Sequence, residues 1–330
     1  MRPQIVDALI IGAGPAGLTA ALAFARTRTT ALVFDSSSYR NEGIKYMHTV
    51  PSRDHFDPYE FRRISREQIE SRYHTVWFEK ATIKFAAKKV LEGNYEGFEV
   101  KDENGTTFLG RKLILATGSR DVFPDIEGYM ENWPSHIYQC LACDGYEQSG
   151  SPIGILEFAH PMASHYVSLA MNFDPRVTIF SNGPISTKAP IQHALKIAKA
   201  FGAAVDERKI TRLVNNGPSH LDGVTAEFET GDPVTLGFLA HRPPTVNRAQ
   251  DLVEQLGLET VDPEMGGHVA IKDMMFNETS VRGVFAAGDT MALMKQVTIA
   301  MAEGMKAASG AGKQIMDERA EAVLKKVESL

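Results

Sequence analysis

The sequence predicts an α/β fold with two domains, the second inserted into the first. Three observations support this fold: a strand, glycine loop and helix open the chain, a second βαβ pattern begins near residue 151, and short apolar strands ending in small residues lie on both sides of it. With 330 residues, of which 43% are hydrophobic and 23% charged, the chain can bury two cores. The predicted bounds are 1–119 with 244–330 for the first domain and 120–243 for the insertion.

The first unit of the chain has the pattern of a dinucleotide-binding βαβ unit. An apolar strand, 7–11, leads into Gly12-Ala-Gly14-Pro-Ala16-Gly17 and a helical run, 18–26, and a second strand ends at Asp35. The glycines permit a tight turn, the helix N-terminus can receive a pyrophosphate, and an acidic residue at this spacing can bind ribose hydroxyls. The alternative is a glycine-rich turn without a ligand. The position of the motif between a strand and a helix favours a bound dinucleotide.

Two later segments are apolar strands that end in small residues. The first follows an Asn104-Gly105 turn and ends in Ala116-Thr117-Gly118, and the second ends in Gly288-Asp289. Each alone is typical of a buried strand end, but their order after the first motif places them in the same domain. The tail, 297–330, is predicted to be largely helical, with Gly304, Gly310 and Gly312 as candidate breaks.

The inserted domain carries a second βαβ pattern. Its strands are predicted at 151–156 and 176–180, with a helix over 162–172 between them. The insertion ends near 238–244, where two consecutive prolines suit a rigid return linker. Two Rossmann-like domains are therefore expected.

The only two cysteines, Cys140 and Cys143, form a CxxC pair followed by Asp144 and Gly145. Such a pair can exchange electrons reversibly between its thiol and disulfide states. The alternatives are a structural disulfide, which would close almost no loop, or half of a metal site. His220, His241 and His268 are scattered along the chain, so we predict no metal. Asp144 is a candidate proton acceptor or, equally, a cap for a following helix.

Net charge and hydropathy restrict the partners. A formal charge of -6 without basic tracts argues against nucleic acid or an anionic membrane. No long apolar stretch or signal-peptide pattern occurs, so a cytoplasmic location is expected. A small molecule is the expected partner.

In order along the chain, these motifs resemble low-molecular-weight thioredoxin reductase over nearly the whole length. The resemblance rests on the glycine motif, Ala116-Thr117-Gly118, Cys140-x-x-Cys143-Asp-Gly, and Gly288-Asp289 followed by Gln296-Val297-Thr298. Several short sequence segments are most similar to those of the gliotoxin-type dithiol oxidases. The segments that carry this second likeness are Phe34-Asp35-Ser36, Tyr39-Arg40-Asn41, Met47-His48, Asp125-Ile-Glu-Gly-Tyr129 and Cys140-Leu-x-Cys143-Asp-Gly-Tyr-Glu147.

The resemblance implies two three-layer ββα domains of the FAD/NAD(P)-binding type, FAD as cofactor, and a homodimer. It implies that FAD is bound by Gly12, Gly14, Ala16, Gly17, Asp35, Ser36, Arg40, Asn41, His48, Ala116, Thr117, Gly118, Gly288, Asp289, Gln296 and Val297. It further implies that Cys143 is the flavin-adjacent sulfur and Cys140 the sulfur that meets substrate. Gliotoxin-type enzymes close a disulfide in a small dithiol, such as an epidithiodiketopiperazine, and pass the electrons to O2, which gives H2O2. A methionine-rich stretch, 291–305, is a candidate interface or ordinary core.

The inserted domain departs from the reductases where NADPH would bind. The loop after its first strand contains Glu157, Phe158 and His160 but no glycine, and the second strand ends without an arginine cluster. A degraded NADPH site reverses the direction of electron flow and predicts an oxidase. The alternatives are an NADPH-dependent thioredoxin or disulfide reductase, which Ala142 within the CxxC also resembles, and a non-catalytic flavin-binding redox sensor.

Overall fold

The computed structural model describes residues 2–263 and 266–329, so the outermost residues of the predicted bounds, Met1 and Leu330, lie outside it. The chain forms two compact units. The first comprises Met1–Glu42, Phe56–Asp121 and Thr245–Leu330, and the second comprises Gly43–His55 and Val122–Pro244. In the order of the chain, the second unit is thus inserted into the first. One difference is the segment Gly43–His55, which belongs to the second unit although the sequence prediction placed it in the first.

The elements are numbered in chain order. The strands are β1 (Ile5–Ile11), β2 (Ala31–Asp35), β3 (Val76–Lys80), β4 (Ile83–Leu91), β5 (Tyr95–Asp102), β6 (Thr107–Leu115), β7 (Ser119–Asp121), β8 (Ile137–Tyr138), β9 (Ile153–Leu156), β10 (Val177–Phe180), β11 (Ala204–Asp206), β12 (Ile210–Asn215), β13 (Val224–Phe228), β14 (Val234–Leu236), β15 (Phe238–Ala240), β16 (Thr245–Asn247), β17 (Ile271–Asp273), β18 (Glu278–Thr279) and β19 (Val284–Ala286). The helices are α1 (Pro15–Arg26), α2 (Pro58–Arg72), α3 (Tyr129–Asn132), α4 (Leu141–Asp144), α5 (Ala163–Ala170), α6 (Ala189–Ala200), α7 (Gln250–Gln255) and α8 (Val297–Glu328).

The first unit is built on a nine-stranded sheet. Its main order is β17-β18-β19-β6-β1-β2-β3, with β5 on β6 and β4 on β5. Along β1 the buried side chains alternate: Ala8 and Ile10 pack with α1 and α8, whereas Leu9 and Ile11 pack with the β4–β5 hairpin and α7. One face of the central strands is therefore covered by α1 and α8, and the other face by the β4–β5 hairpin and α7. This arrangement confirms the predicted three-layer fold.

Helix α8 corrects one sequence expectation. It runs without interruption over 32 residues, so the glycines predicted as candidate breaks lie inside it. A Cβ on Gly304 would stand 2.1 Å from the carbonyl oxygen of Ala16, and one on Gly310 would stand 2.5 Å from Cβ of Phe276. These two glycines permit close packing against α1 and the sheet, and that packing outweighs their poor helix propensity.

The second unit has its own layers. A five-stranded parallel sheet, β11-β10-β9-β15-β8, lies beside a three-stranded antiparallel sheet, β12-β13-β14. Helices α5 and α6 bury Val167 and Ala194 in one core, and Leu213 and Val224 of the smaller sheet belong to another. The predicted βαβ unit is confirmed as β9, α5 and β10. In the described residues, we find no helix with the length and apolar character needed to cross a bilayer.

Candidate active site

The glycine loop between β1 and α1 combines tight packing with one open position. A Cβ on Gly12 would lie 2.2 Å from the carbonyl oxygen of Ala116, and a Cβ on Gly17 would lie 1.8 Å from that of Gly12. Gly14, the N-cap of α1, has no described atom within 4 Å of its Cβ position. No side chain of the described residues caps α1. The helix N-terminus therefore presents backbone N–H groups at an open position, which suits an anion such as a pyrophosphate.

Ala16 plays a packing role in this loop. Its side chain is buried and its Cβ lies 3.1 Å from the Cβ position of Gly288, while its carbonyl oxygen faces Gly304. Ala16 thus joins α1 to the turn after β19 and to α8. Any contact with a cofactor would come from its backbone N–H.

The end of β2 is organised around Asp35. Its Oδ1 accepts hydrogen bonds from the Ser37 N–H and the Tyr39 hydroxyl, each at 2.8 Å. Because an ionised carboxylate offers about four acceptor positions, it can still receive ribose hydroxyls. Asn41 accepts a bond from Arg62 Nη1 at 3.1 Å, and Ser36 is exposed.

Arg40 and Asp289, both predicted as cofactor residues, lie in one ionic network. Arg40 Nη2 donates to Asp121 Oδ1 at 2.7 Å, and Arg40 Nη1 lies 3.3 Å from Asp289 Oδ2. Lys295 Nζ donates to the carbonyl oxygen of Asp289 at 3.2 Å, and burial lowers the pKa of Lys295. Sequence reasoning missed Asp121 and Lys295, since neither belongs to a motif. The network offsets the negative charge of Asp289.

The turns after β6 and β19 are joined by Thr290. Its Oγ1 accepts the Gly118 N–H at 2.8 Å and lies 3.3 Å from Thr117 Oγ1. The structure thus brings the predicted residues Ala116, Thr117 and Gly118 together with Gly288 and Asp289. Parallel strands place these ends at one edge of the sheet, where nucleotides bind in this class of fold.

Helix α8 begins near this edge of the chain's first unit. Gln296 is its N-cap with extended backbone, Val297 is its first residue, and no described side chain provides a capping hydrogen bond. The positive end of a long helix can stabilise negative charge on a reduced cofactor. The first unit therefore offers a glycine cradle, a carboxylate and two uncapped helix starts. These features fit FAD.

His48 lies in the second unit, on the segment Gly43–His55. Its Nδ1 is 3.5 Å from Asp54 Oδ1, and its ring is 4.4 Å from that of His55. Sequence reasoning proposed His48 as a cofactor contact and did not single out His55 or Asp54.

Cys140 and Cys143 form a disulfide with a Cα–Cα distance of 5.2 Å. Cys140 is the N-cap of α4, and its carbonyl oxygen accepts the N–H groups of Cys143 and Asp144 at 3.0 and 3.1 Å. Both cysteines are partly exposed and Ala142 between them is exposed. Since the bond spans a sequence separation of only 3, it constrains the unfolded chain little, and a structural role explains it poorly. An accessible disulfide of this kind suits thiol exchange.

Asp144 ends α4 directly after Cys143. Burial, with a smaller contribution from Glu147, raises the pKa of Asp144 to about 7. The alternative role as a cap of a following helix does not apply, because among the described residues the next helix begins at Ala163. A carboxyl group that titrates near neutrality can take up and return a proton at working pH.

Replacement of Asp144 by asparagine should change how stability depends on pH. The unfolded Asp144 ionises near its usual value of 3.8, whereas the folded one stays protonated to about 7. The folded state binds the extra proton between these values, so the wild type should lose stability as pH rises through that window. At 1.36 kcal/mol per unit, D144N should avoid a loss of roughly 2–3 kcal/mol between pH 5 and 7. Denaturant unfolding of both proteins at these pH values measures the difference, and equal losses would contradict the raised pKa.

The end of β9 is filled by side chains. Glu157 has a left-handed backbone with φ +66°, and Phe158 is buried in the core. Glu157 Oε2 lies 3.4 Å from Nε2 of buried His241, which follows β15, and His241 lowers the pKa of Glu157. His241 Nδ1 and the Tyr129 hydroxyl are 2.7 Å apart. An ionised carboxylate and a buried imidazole therefore occupy the edge of the sheet next to this loop.

Comparison with known proteins defines the class. Residues 6–304 match the family model of pyridine nucleotide-disulphide oxidoreductase, and the chain belongs to that family. It is 43% identical to the thioredoxin reductase tcpT of Claviceps purpurea and 38% identical to the thioredoxin reductase sirT of Leptosphaeria maculans, over 95% of each chain in both cases. The solved structure of HlmI superimposes with a TM-score of 0.87 at 27% identity, covering 98% of this chain and 96% of that one.

These likenesses confirm the thioredoxin reductase-like class, the FAD cofactor and an enzyme that acts on sulfur groups. The protein is thus a disulfide oxidoreductase of the thioredoxin reductase-like class. Enzymes of this class differ in the direction of the reaction and in the electron acceptor.

Proposed function

We propose that this protein is an FAD-dependent dithiol oxidase that closes an intramolecular disulfide in a small natural-product dithiol of the epidithiodiketopiperazine kind. Its electron acceptor is O2 and its second product is H2O2. The observation that carries the proposal is the loop after β9, in which Glu157 and Phe158 stand where a pyridine nucleotide would need a glycine loop, with His241 of the neighbouring strand end beside Glu157.

The charge and shape of that loop disfavour NADPH. A pyrophosphate binds where backbone N–H groups approach it closely, which glycines permit. Glu157 instead places a carboxylate 3.4 Å from His241 at this edge, and helix α5 begins only at Ala163. A phosphate here would face a negative charge and side chains in place of backbone donors. Electrons then have to arrive from a dithiol.

The proposed reaction uses the disulfide as first acceptor. A substrate thiolate attacks Sγ of Cys140, the Cys140–Cys143 bond breaks, and Cys143 leaves as a thiolate. The second substrate thiol attacks the substrate sulfur of the mixed disulfide, which forms the product disulfide and frees Cys140. Asp144 accepts a proton from the attacking thiols. Bound FAD would supply the two-electron chemistry that returns the cysteine pair to its disulfide, with O2 as the final acceptor. One dithiol and one O2 thus give one disulfide and one H2O2.

The proposal includes the location, oligomeric state and partners of the enzyme. We expect a cytoplasmic enzyme, where an isolated CxxC cycles between its two states, and a homodimer with neither nucleic acid nor membrane as partner. In the methionine-rich stretch, Met291 is buried in the core, while Met294 and Met305 are 66% and 46% exposed. The two exposed methionines are the ones available to an interface.

A second candidate is an NADPH-dependent disulfide reductase. It is favoured by the names of the relatives, which are called thioredoxin reductases, and by the complete parallel sheet of the second unit. The two candidates differ in the molecule that reduces the flavin.

Anaerobic absorbance spectroscopy of the FAD-loaded protein separates them. A small dithiol such as reduced gliotoxin should bleach the flavin, and air should restore the colour with one H2O2 per dithiol consumed. NADPH should leave the oxidised spectrum unchanged over the same period. Rapid bleaching by NADPH would overturn the oxidase assignment and identify a reductase. A flavin that neither reagent reduces would identify a redox sensor without turnover.

A further inference from the structure

The second unit contains a cluster of metal-ligating side chains outside the cysteine pair. His48, His55 and Glu147 each offer one ligand atom, and these three atoms lie within 4.8 Å of one another. His55 Nε2 is 3.5 Å from Glu147 Oε1, and the two imidazole rings are perpendicular with centroids 4.4 Å apart. Glu147 follows His55 by 92 positions, so the fold rather than local sequence brings them together.

Two carboxylates, Asp54 and Glu147, lie beside the histidines of this cluster. Asp54 Oδ1 accepts the Thr49 N–H at 3.0 Å and lies 3.5 Å from Nδ1 of His48. Asp54 Oδ2 also lies 3.7 Å from Nε2 of His55, so one carboxylate lies beside both imidazoles, as carboxylates commonly do near metal-binding histidines. Oε2 of Glu147 is buried and has no hydrogen-bond partner among the described residues. A buried carboxylate oxygen without a partner is costly unless a ligand satisfies it.

We propose that His48, His55 and Glu147 bind one divalent transition-metal ion, with Zn²⁺ as the best match. Zinc takes imidazole nitrogen and carboxylate oxygen at about 2.0–2.2 Å, and tetrahedral ligand atoms then lie roughly 3.3–3.6 Å apart. The His55–Glu147 pair already has this spacing, and the ligand atom of His48 lies within 4.8 Å of both partners. Water completes the coordination. The ion joins the segment Gly43–His55 to the turn that follows the CxxC helix.

The closed disulfide makes the site separable from the cysteines. In the oxidised protein neither sulfur is a free thiol, so zinc binding there cannot come from a cysteine thiolate. The test therefore uses untagged, FAD-loaded, oxidised enzyme that has been freed of metal with a chelator and then transferred to chelator-free buffer. Isothermal titration with Zn²⁺ measures affinity and stoichiometry, and Co²⁺ absorbance beyond the flavin bands reports coordination geometry.

We expect one Zn²⁺ per chain and a loss of affinity of about tenfold or more in each of H48A, H55A and E147Q. His55 is the most informative position, because its side chain is 55% exposed and its replacement disturbs no core. His193 and His220 are exposed histidines of the same unit, so H193A and H220A are matched controls that should bind as the wild type does. Zn²⁺ should also raise the unfolding temperature of the wild type but not that of H55A.

Two results would overturn the site: wild-type protein that does not bind one equivalent, or H55A and E147Q that bind as tightly as the controls. If H193A weakened Zn²⁺ binding as much as H55A does, scattered surface histidines would account for the binding, and the proposal would also be rejected. None of these measurements depends on turnover. They therefore test the zinc site even if the oxidase assignment is wrong.

Discussion

Replacement of Cys143 by serine should abolish the proposed dithiol oxidation, with an expected fall in turnover of roughly three orders of magnitude or more. Cys143 and Cys140 are the only cysteines and form a disulfide, which receives electrons from the substrate in the proposed reaction. Without the second sulfur, a substrate thiolate finds no disulfide bond to break. C140S should fail to the same degree, because the two sulfurs act as one unit and their effects are not additive. Steady-state oxygen consumption with a small dithiol measures both losses.

The matched control for the cysteine variants is A142S. Ala142 is exposed between the two cysteines, so a hydroxyl there alters the motif without removing a sulfur. A142S should keep activity within a few-fold of the wild type. Thiol titration of unfolded protein should give no thiol for the oxidised wild type, two after reduction, and one for each cysteine variant. If C143S retained more than about a tenth of wild-type turnover with FAD bound, the disulfide would not carry the electrons.

The parts of the fold that could be predicted are those specified by residues that are close together in the sequence. The strand, glycine loop and helix at the start of the chain occupy consecutive positions, so turn sterics and apolar pattern specify them locally. The βαβ unit of the insertion could likewise be predicted from its local apolar pattern. The predicted helix lost only its ends, since 162–172 became α5 at Ala163–Ala170. End residues depend on capping contacts that a pattern does not contain.

What could not be predicted depends on segments far apart in the chain. Arg40, Asp121 and Asp289 meet only through the fold, and the same is true of His55 and Glu147. Gly304 looked like a helix break because propensity counts against glycine, whereas its contact with Ala16 makes it a packing position. Burial gives Asp144 its pKa near 7, and burial cannot be read from adjacent residues. Ion pairs, close helix contacts and pKa values are thus properties of tertiary structure.

Replacement of Gly14 by alanine is expected to weaken FAD binding while leaving the apoprotein folded. The backbone of Gly14, with φ −74°, is ordinary for alanine, and a Cβ there meets no described atom within 4 Å. The apoprotein should therefore be as stable as the wild type or more stable by about 0.4–1 kcal/mol, since alanine has less freedom in the unfolded chain. The methyl group, however, enters the space through which a pyrophosphate approaches α1. A steric cost of about 1–3 kcal/mol corresponds to roughly ten- to hundredfold weaker FAD binding.

Replacement of Gly17 by alanine is expected to give the opposite result, loss of the fold. Its Cβ would stand 1.8 Å from the carbonyl oxygen of Gly12, which is backbone and cannot swing aside, so G17A should fail to reach an FAD-binding state even as apoprotein. Flavin fluorescence measures the affinity of each apoprotein for FAD, and thermal unfolding with and without FAD measures stability. In G14A a given concentration of FAD should raise the unfolding temperature less than it does in the wild type, whereas in G17A the apoprotein itself should unfold early. A G14A protein that bound FAD like the wild type would show that the pyrophosphate does not lie against this loop. Because the two glycines are three positions apart in one turn, their contrasting outcomes distinguish a residue needed for the cofactor from one needed for the fold.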